Sequence, residues 1–327
     1  MAYFGMFNGI AVRAIAAAVP ETRVENVAYL LSIGEEQVSK FERMTGVKER
    51  RHAMKLTTRD LACRAAEALK AAGAVSAEDI DVLIFVSQTP DARLPASACV
   101  LQEQLGLRAD AAAYDVGLGC SGFVYGLWQA ASLCASGAAK RVLLTGGDTI
   151  SRIAAKDDFQ NQMLFGDAGF AAVVEADEFA GHPLCWQLGS NGAGANVIRC
   201  EHGGVLQMDG LEVFNFTTSV IPTALKEFSQ NSGQPLSEFG SFCFHQANRF
   251  ILTQIAMMAG FSARKHLISI DRFGNTSSAS IPLTLCDQRE KRPGKTLCAG
   301  FGVGLSWGIV SYDFSNTLLL PVQSIKE

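Results

Sequence analysis

The sequence predicts an α/β fold built from two related halves, and three observations carry that expectation. Short apolar, β-branched runs alternate with stretches of helical periodicity. The order of those elements in the first half recurs in the second. The composition, 48% hydrophobic and 18% charged over 327 residues, is that of a chain able to bury a large core.

Taken in order, residues 10–19 are mostly apolar and alanine-rich. They lack a basic leader, contain Arg13 and stop at Pro20, so they read as an opening strand and not as a signal peptide. Residues 24–45 read as helix and loop, and 45–51 (Thr-Gly-Val-Lys-Glu-Arg-Arg) as a polar turn. A helix opens at Thr58 or Arg59 and runs to Ala72, with Leu61, Ala65 and Leu69 on one face. A buried strand at 80–86, a helix at 95–105 and a strand at 111–116 follow. A long small-residue helix then reaches about Ala139, and 141–146 and 169–174 read as further buried strands. No apolar run approaches ~20 residues, so no membrane span is expected.

The repeat is short but ordered. Ala68-Leu69-Lys70, a linker and the segment Asp81 to Gln88 find counterparts in Ala224-Leu225-Lys226, a linker and Ser241 to Gln246. Helices at 95–105 and 250–261 come next. Each half then has an expected strand bearing an aspartate, Asp115 or Asp271, followed by Cys120 and Asn275 respectively. Each ends on a glycine-bearing strand, at Gly146-Gly147-Asp148 and Gly300-Phe301-Gly302-Val303-Gly304. We therefore expect halves at 1–175 and 176–327, packed with pseudo-twofold symmetry. That packing would gather Cys120, His245 and Asn275 beyond strand ends, where α/β folds place ligands.

A net charge of −4 without a basic run argues against nucleic acid or anionic lipid as a partner. Nine cysteines with no CxxC pair form neither a disulfide framework nor a zinc pattern, which points to a reducing cytoplasm. His52, His182, His202 and His266 share no metal-ligand spacing, so no metal is expected. Cys63, Cys99, Cys134 and Cys243 sit in apolar contexts and are expected in the core. Cys120, in Asp-Val-Gly-Leu-Gly-Cys-Ser-Gly-Phe, joins a strand to a helix N-terminus. Unpaired N–H groups and the helix dipole there favour a thiolate, so Cys120 is either a nucleophile or a packed core cysteine. His245 alone reads equally as a hydrogen-bonded core histidine, and Asn275 as a turn residue.

Four ordered motifs weigh on that choice. Cys120 in its glycine-rich turn, His245-Gln246-Ala247-Asn248, Gly274-Asn275-Thr276-Ser277 and Phe301-Gly302-Val303-Gly304-Leu305-Ser306-Trp307-Gly308 resemble β-ketoacyl-[acyl carrier protein] synthase III, a family of the thiolase fold. Thr45 to Arg50, Pro95 to Cys99 and Phe165-Gly166-Asp167-Ala168-Gly169 support the resemblance, which spans nearly the whole chain. It implies an α-β-α-β-α layering and a cysteine-acylated, decarboxylative Claisen condensation of an acyl thioester with a malonyl-type thioester, in fatty-acid or secondary-metabolite biosynthesis. Cys120, His245 and Asn275 would be catalytic, with the Cys120 and Val303 N–H groups as oxyanion hole. Substrate would be met by Leu94, Phe159, Leu211, Asn248, Phe301 and Gly304. Asp167 reads as structural. Acyl-CoA or acyl carrier protein would be the partner, the chain a cytoplasmic homodimer, and no cofactor would be needed.

The departures from the family lie away from the chemistry. A tryptophan and an arginine that grip the coenzyme A nucleotide align with Lys40 and Met44, and a second arginine with Phe159. A pantetheine-contacting asparagine becomes Leu211, and a dimer-crossing phenylalanine that floors the acyl pocket becomes Leu94. Two carrier-docking lysines become Met257 and Met258, and a docking arginine is displaced to Arg249. Acyl transfer to an oxygen or nitrogen nucleophile without decarboxylation, and an auxiliary subunit of a condensing complex, are the alternatives.

Overall fold

The buried apolar runs pair into two sheets that face each other across a shared helical layer. The computed structural model describes residues 3–327. In the larger, seven-stranded sheet the order is Leu318–Leu319, Ile10–Pro20, Ala168–Ala176, Arg141–Asp148, Val82–Val86 and Ala112–Val116, with Gln323–Ile325 also pairing with Ile10–Pro20. In the smaller it is Tyr3–Phe7, Leu184–Ser190, Ser306–Asp313, Lys295–Gly302 and Ser241–Phe244. Ala168–Ala176 runs antiparallel to both its neighbours, Ile10–Pro20 and Arg141–Asp148, and Val82–Val86 adds parallel to Arg141–Asp148. Leu184–Ser190, Ser306–Asp313, Lys295–Gly302 and Ser241–Phe244 repeat that sequence of directions. Four strands of each half therefore share one order of directions, as the sequence repeat suggests.

Five layers result. Helices Thr58–Ala71 and Ser97–Gln104 cover the outer face of the large sheet, through Ala62, Ala65, Leu69 and Leu101 against Leu83 and Phe85. Gly122–Ala135 and Ser280–Asp287 lie between the sheets, and Gly210–Ser232 and Arg249–Ala259 cover the small sheet outside. This is the α-β-α-β-α arrangement expected. The opening strand shows why its sequence is apolar throughout: Ile15, Ala17 and Val19 face the inter-sheet core, while Ala14, Ala16 and Ala18 face the outer helices. Arg13 falls where the register shifts between Val12 and Ala14 and pairs there with Glu175 and Asp177.

Several expectations need correction. Asp271 is not on a strand but in the short helix Ile270–Phe273, and the third strand of the second half shrinks to one bridge, Phe242 to His266. The stretch 45–51 is no exposed turn: Glu49–Arg51 pairs with Arg23–Glu25, and strand alternation turns Arg50 fully inward. Its guanidinium donates to Asn26 Oδ1 (2.6 Å) and the Gln162 carbonyl (2.8 Å), and lies 5.1 Å from the Tyr29 ring centroid. Cys134 and Cys243 are buried as expected, but Cys99 is exposed and Cys63 half-buried. No helix among the described residues is long and apolar enough to cross a membrane.

The Ser97–Gln104 helix begins on Ala96, which offers no capping side chain. The two Asp115 oxygens substitute for one, accepting the Ser97 and Ala98 N–H groups at 2.7 Å from the neighbouring strand. Asp115→Ala is expected to lower stability by ~1–2 kcal/mol, read as a shifted urea midpoint with an unchanged slope.

Candidate active site

His245 beyond a strand, Cys120 in a strand–helix turn and Asn275 after the short helix Ile270–Phe273 meet at one cavity of about 80 Å³, which Phe301, Val303 and Asn248 also line. Cys120 sits in a turn one residue before Ser121, which precedes the Gly122–Ala135 helix, and is 8% exposed. Gly302 must be glycine because a Cβ there would stand 2.7 Å from the Cys120 Cβ and 2.8 Å from its Sγ. That approach brings the backbone N–H groups of Val303 and Cys120 onto the sulfur. The turn is pinned by Ser121, whose Oγ lies 2.7 Å from Ser306 Oγ, while the Ser306 hydroxyl donates to the Val303 carbonyl (2.7 Å).

His245 follows directly on the Ser241–Phe244 strand and is 2% exposed. Its Nδ1 lies 2.8 Å from Ser280 Oγ, and the Ser280 hydroxyl already donates to the Ser277 carbonyl (2.8 Å). Ser280 therefore accepts the Nδ1–H, and Nε2 is the bare nitrogen left to the cavity. Burial holds the imidazole down at about 4, so it is neutral. Asn275 is oriented the same way. Its Oδ1 accepts the Ser277 N–H (3.0 Å), which leaves the Nδ2–H group as its free donor. Its backbone is stitched to Leu164 and Gly166.

Burial also pushes the Cys120 thiol up to about 11, with the Asp148 carboxylate adding to the rise and the Val303, Ser277 and Cys120 donors opposing it. The expected thiolate is thus corrected. Burial and the neighbouring Asp148 carboxylate favour the neutral thiol.

A wider vestibule of about 780 Å³ adjoins the cavity, sharing Leu164, Met208, Gly210 and Asn248 with it. Lys40, Met44, Asp157, Asp158 and Phe159 line it.

Comparison with known proteins decides the family. Models for 3-oxoacyl-[acyl-carrier-protein] synthase III and for its C-terminal part match residues 114–192 and 229–314. A β-ketoacyl-[acyl-carrier-protein] synthase III of Oceanobacillus iheyensis is 37% identical over 273 residues, covering 82% of this chain and 87% of the relative. The chain belongs to the 3-oxoacyl-[acyl-carrier-protein] synthase III family. A relative from Bartonella henselae is 34% identical over 317 residues, covering 91% and 97%. The crystal structure of a 3-oxoacyl-(acyl-carrier protein) synthase from Burkholderia xenovorans superposes with a TM-score of 0.92 at 35% identity, covering 100% of this chain and 99% of that one. The priming β-ketosynthase of the R1128 polyketide pathway superposes with a TM-score of 0.83 at 26% identity, covering 96% and 97%. The chain is therefore a thiolase-fold acyltransferase of the condensing kind, an acyl-thioester condensing enzyme.

Not every expected residue of this synthase III reaches the site. Phe301 and Asn248 line the cavity, although the Asn248 Oδ1 is spent on capping the Arg249–Ala259 helix through Ile251 N–H (2.7 Å). Phe159 lines only the vestibule. Leu94 is 84% exposed and Leu211, in the first turn of the Gly210–Ser232 helix, 67% exposed, and neither lines cavity or vestibule. Gly304 lies in the hairpin turn after Lys295–Gly302 and lines neither. Asp167 is structural as expected, accepting the Ala53 N–H (2.7 Å) and Ser151 N–H (3.0 Å). Sequence reasoning missed Gln88, Ser280 and Asp148 as members of the site. The repeat held the signal for Gln88, which occupies the position of Gln246 beyond the matching strand.

With the thiol at about 11, iodoacetamide labelling of Cys120 should rise close to tenfold per pH unit between 7 and 9. Peptide mapping at pH 7 should find the exposed Cys99 and Cys200 labelled first.

Proposed function

We propose that Cys120, His245 and Asn275 carry out a decarboxylative condensation through an acyl-cysteine. The observation that carries this reading is the tied-off pair beside the thiol. His245 Nδ1 and Asn275 Oδ1 are both committed to the protein, so Nε2 and Nδ2–H are the groups offered to substrate. In acylation Cys120 Sγ attacks the thioester carbonyl while His245 Nε2 takes the thiol proton. The leaving thiolate departs and is protonated by solvent. The Val303 and Cys120 N–H groups stabilise the tetrahedral oxyanion.

The malonyl-type thioester then places its carbonyl oxygen against Asn275 Nδ2–H and the Nε2–H that His245 has acquired. Loss of carbon dioxide leaves an enolate held by those two donors. Its carbon attacks the acyl-cysteine, and the released Cys120 thiolate recovers its proton from His245. The electron pair for the new bond comes from the broken carboxylate bond, so no cofactor is needed. A donor amide at position 275 suits an enolate, which favours this reading over acyl transfer without decarboxylation and over a scaffolding role.

Delivery follows from the vestibule. Its ionisable lining is one cation, Lys40, against Asp157 and Asp158, a poor match for the clustered phosphates of coenzyme A. We infer that the acyl donor travels on a carrier protein, whose pantetheine arm brings a single phosphate. We also propose a cytoplasmic homodimer joined through the Ala112–Val116 strand, which pairs on one side only and exposes Tyr114.

Cys120→Ala should lose covalent acylation, followed by intact mass, and should retain only the slower malonyl decarboxylation that Asn275 Nδ2–H supports, because His245 no longer receives the thiol proton. Asn275→Ala should still load acyl groups but condense ~10²–10³-fold more slowly. Wild-type condensation by Asn275→Ala would remove the decarboxylative mechanism in favour of simple transfer. Hexanoyl and longer thioesters on a carrier should acylate Cys120 faster than acetyl-CoA, each buried methylene adding up to ~0.8 kcal/mol. Acetyl-CoA as the fastest donor would overturn the carrier assignment.

A further inference from the structure

One buried polar cluster beside the nucleophile has no part in the mechanism above. Ser277 is a non-glycine residue at φ 50°, in the left-handed region that ordinary side chains avoid. It is fully buried, and its Oγ lies 4.0 Å from Cys120 Sγ. The Gln88 Nε2 donates to that same Oγ at 3.1 Å, so the Ser277 hydroxyl proton is not spent on Gln88 and is shared between the Asp148 carboxylate and the sulfur, turning to the sulfur as it gains charge. The Gln88 carboxamide reaches across the nucleophile turn only because residue 119 is glycine. A Cβ there would stand 2.0 Å from Gln88 Oε1.

Both ends of this relay are fixed by one carboxylate. Asp148 accepts the Gln88 N–H at 2.9 Å on one oxygen, and the Ser278 N–H (3.1 Å) and hydroxyl (2.7 Å) on the other. Gln88 belongs to the first half of the chain and Ser277 to the second, so the relay forms only when the halves are docked.

We propose that Ser277 is a further catalytic residue, the side-chain donor to the Cys120 sulfur as it ionises, and that Gln88 and Asp148 are its positioning residues. This rests on Cys120 being the acylated nucleophile. When the thiol proton passes to His245 Nε2, the Ser277 O–H keeps its own proton and hydrogen-bonds the thiolate. The two backbone N–H groups nearby then have a partner donor on the sulfur's other side. The acylated sulfur carries no charge, so the Ser277 contact favours the ionised nucleophile over the resting thiol and over the thioester.

The test compares Ser277→Ala, Ser277→Gly and Gln88→Glu with the wild type. Ser277→Gly removes the hydroxyl while relieving the left-handed backbone, so it separates loss of the donor from loss of folding. In Gln88→Glu the new carboxylate accepts the Ser277 hydroxyl and draws its proton away from the sulfur. The readouts are the alkylation rate of Cys120 against pH, the acylation rate by intact mass, and malonyl decarboxylation. Each variant is expected to move the alkylation profile to higher pH and slow acylation by about tenfold. Decarboxylation, which depends on His245 and Asn275, should change by less than about twofold. An unshifted profile in Ser277→Gly, with acylation at the wild-type rate, would overturn the proposal while leaving Cys120 as nucleophile. Wild-type enzyme that never acylates at Cys120 would instead overturn the reading beneath it. Equal losses of acylation and decarboxylation, with an unshifted profile, would make Ser277 structural and also overturn the proposal.

Discussion

A buried carboxylate without a cation partner ties the two halves together directly beside the nucleophile. Asp148 is fully buried, and desolvating a carboxylate costs several kcal/mol unless donors replace its water. Here the Ser87 hydroxyl, the Gln88 and Thr89 N–H groups and the Thr89 hydroxyl converge on one oxygen, and Ser278 supplies two donors to the other. Burial pushes the carboxyl up, and those donors pull it back. The first oxygen is bound wholly by the first half and the second wholly by the second half. The apolar layer between the sheets does not by itself fix their register, since the hydrophobic effect is non-directional, whereas the pairing of 318–319 and 323–325 with Ile10–Pro20 and the bonds of Asn275 to Leu164 and Gly166 do. Any slip between the halves would also strip donors from Asp148.

That anchor has an electrostatic consequence for the chemistry. A fixed negative charge near Cys120 opposes thiolate formation, and burial opposes both thiolate and imidazolium. The resting site is consequently a neutral thiol beside a neutral imidazole, and the backbone donors on the sulfur wait for charge that appears only during reaction. Such a site spends little on holding ions in a dry cavity. Its donors are already oriented when the oxyanion forms, which is where electrostatic preorganisation counts most.

The sequence was legible where one residue's own chemistry sets its place. Val82–Val86 reads as a buried strand from its own residues, while the cysteine at the strand–helix junction is narrowed to nucleophile or core residue and settled only by the motifs that accompany it. Illegible features depend on distant partners. Gln88 and Ser277 are 189 positions apart, and nothing local to either marks the pair. Arg50 read as polar surface because its charge says so, while its burial depends on Asn26, Tyr29 and the Gln162 carbonyl. Leu94 and Leu211 were placed in the substrate path from resemblance alone, and within one chain their side chains face solvent.

The duplication explains how one fold holds both an anchor and a catalyst. Val86 pairs with Gly146 in the large sheet, and Phe244 with Ala299 in the small one. Counting on from those pairs, Ser87 corresponds to His245 and Asp148 to Phe301. In the first half the position beyond the strand is a serine donating to a carboxylate. In the second it is a histidine whose ring meets Phe301 edge-on at 5.7 Å. A carboxylate at 301 would stabilise the imidazolium and keep Nε2 protonated, destroying the base that Cys120 needs. Phenylalanine there leaves burial as the dominant influence and the nitrogen bare. The paired positions have thus divided one polar contact into two roles, with charge kept where it ties the halves together and removed where it would disable the base.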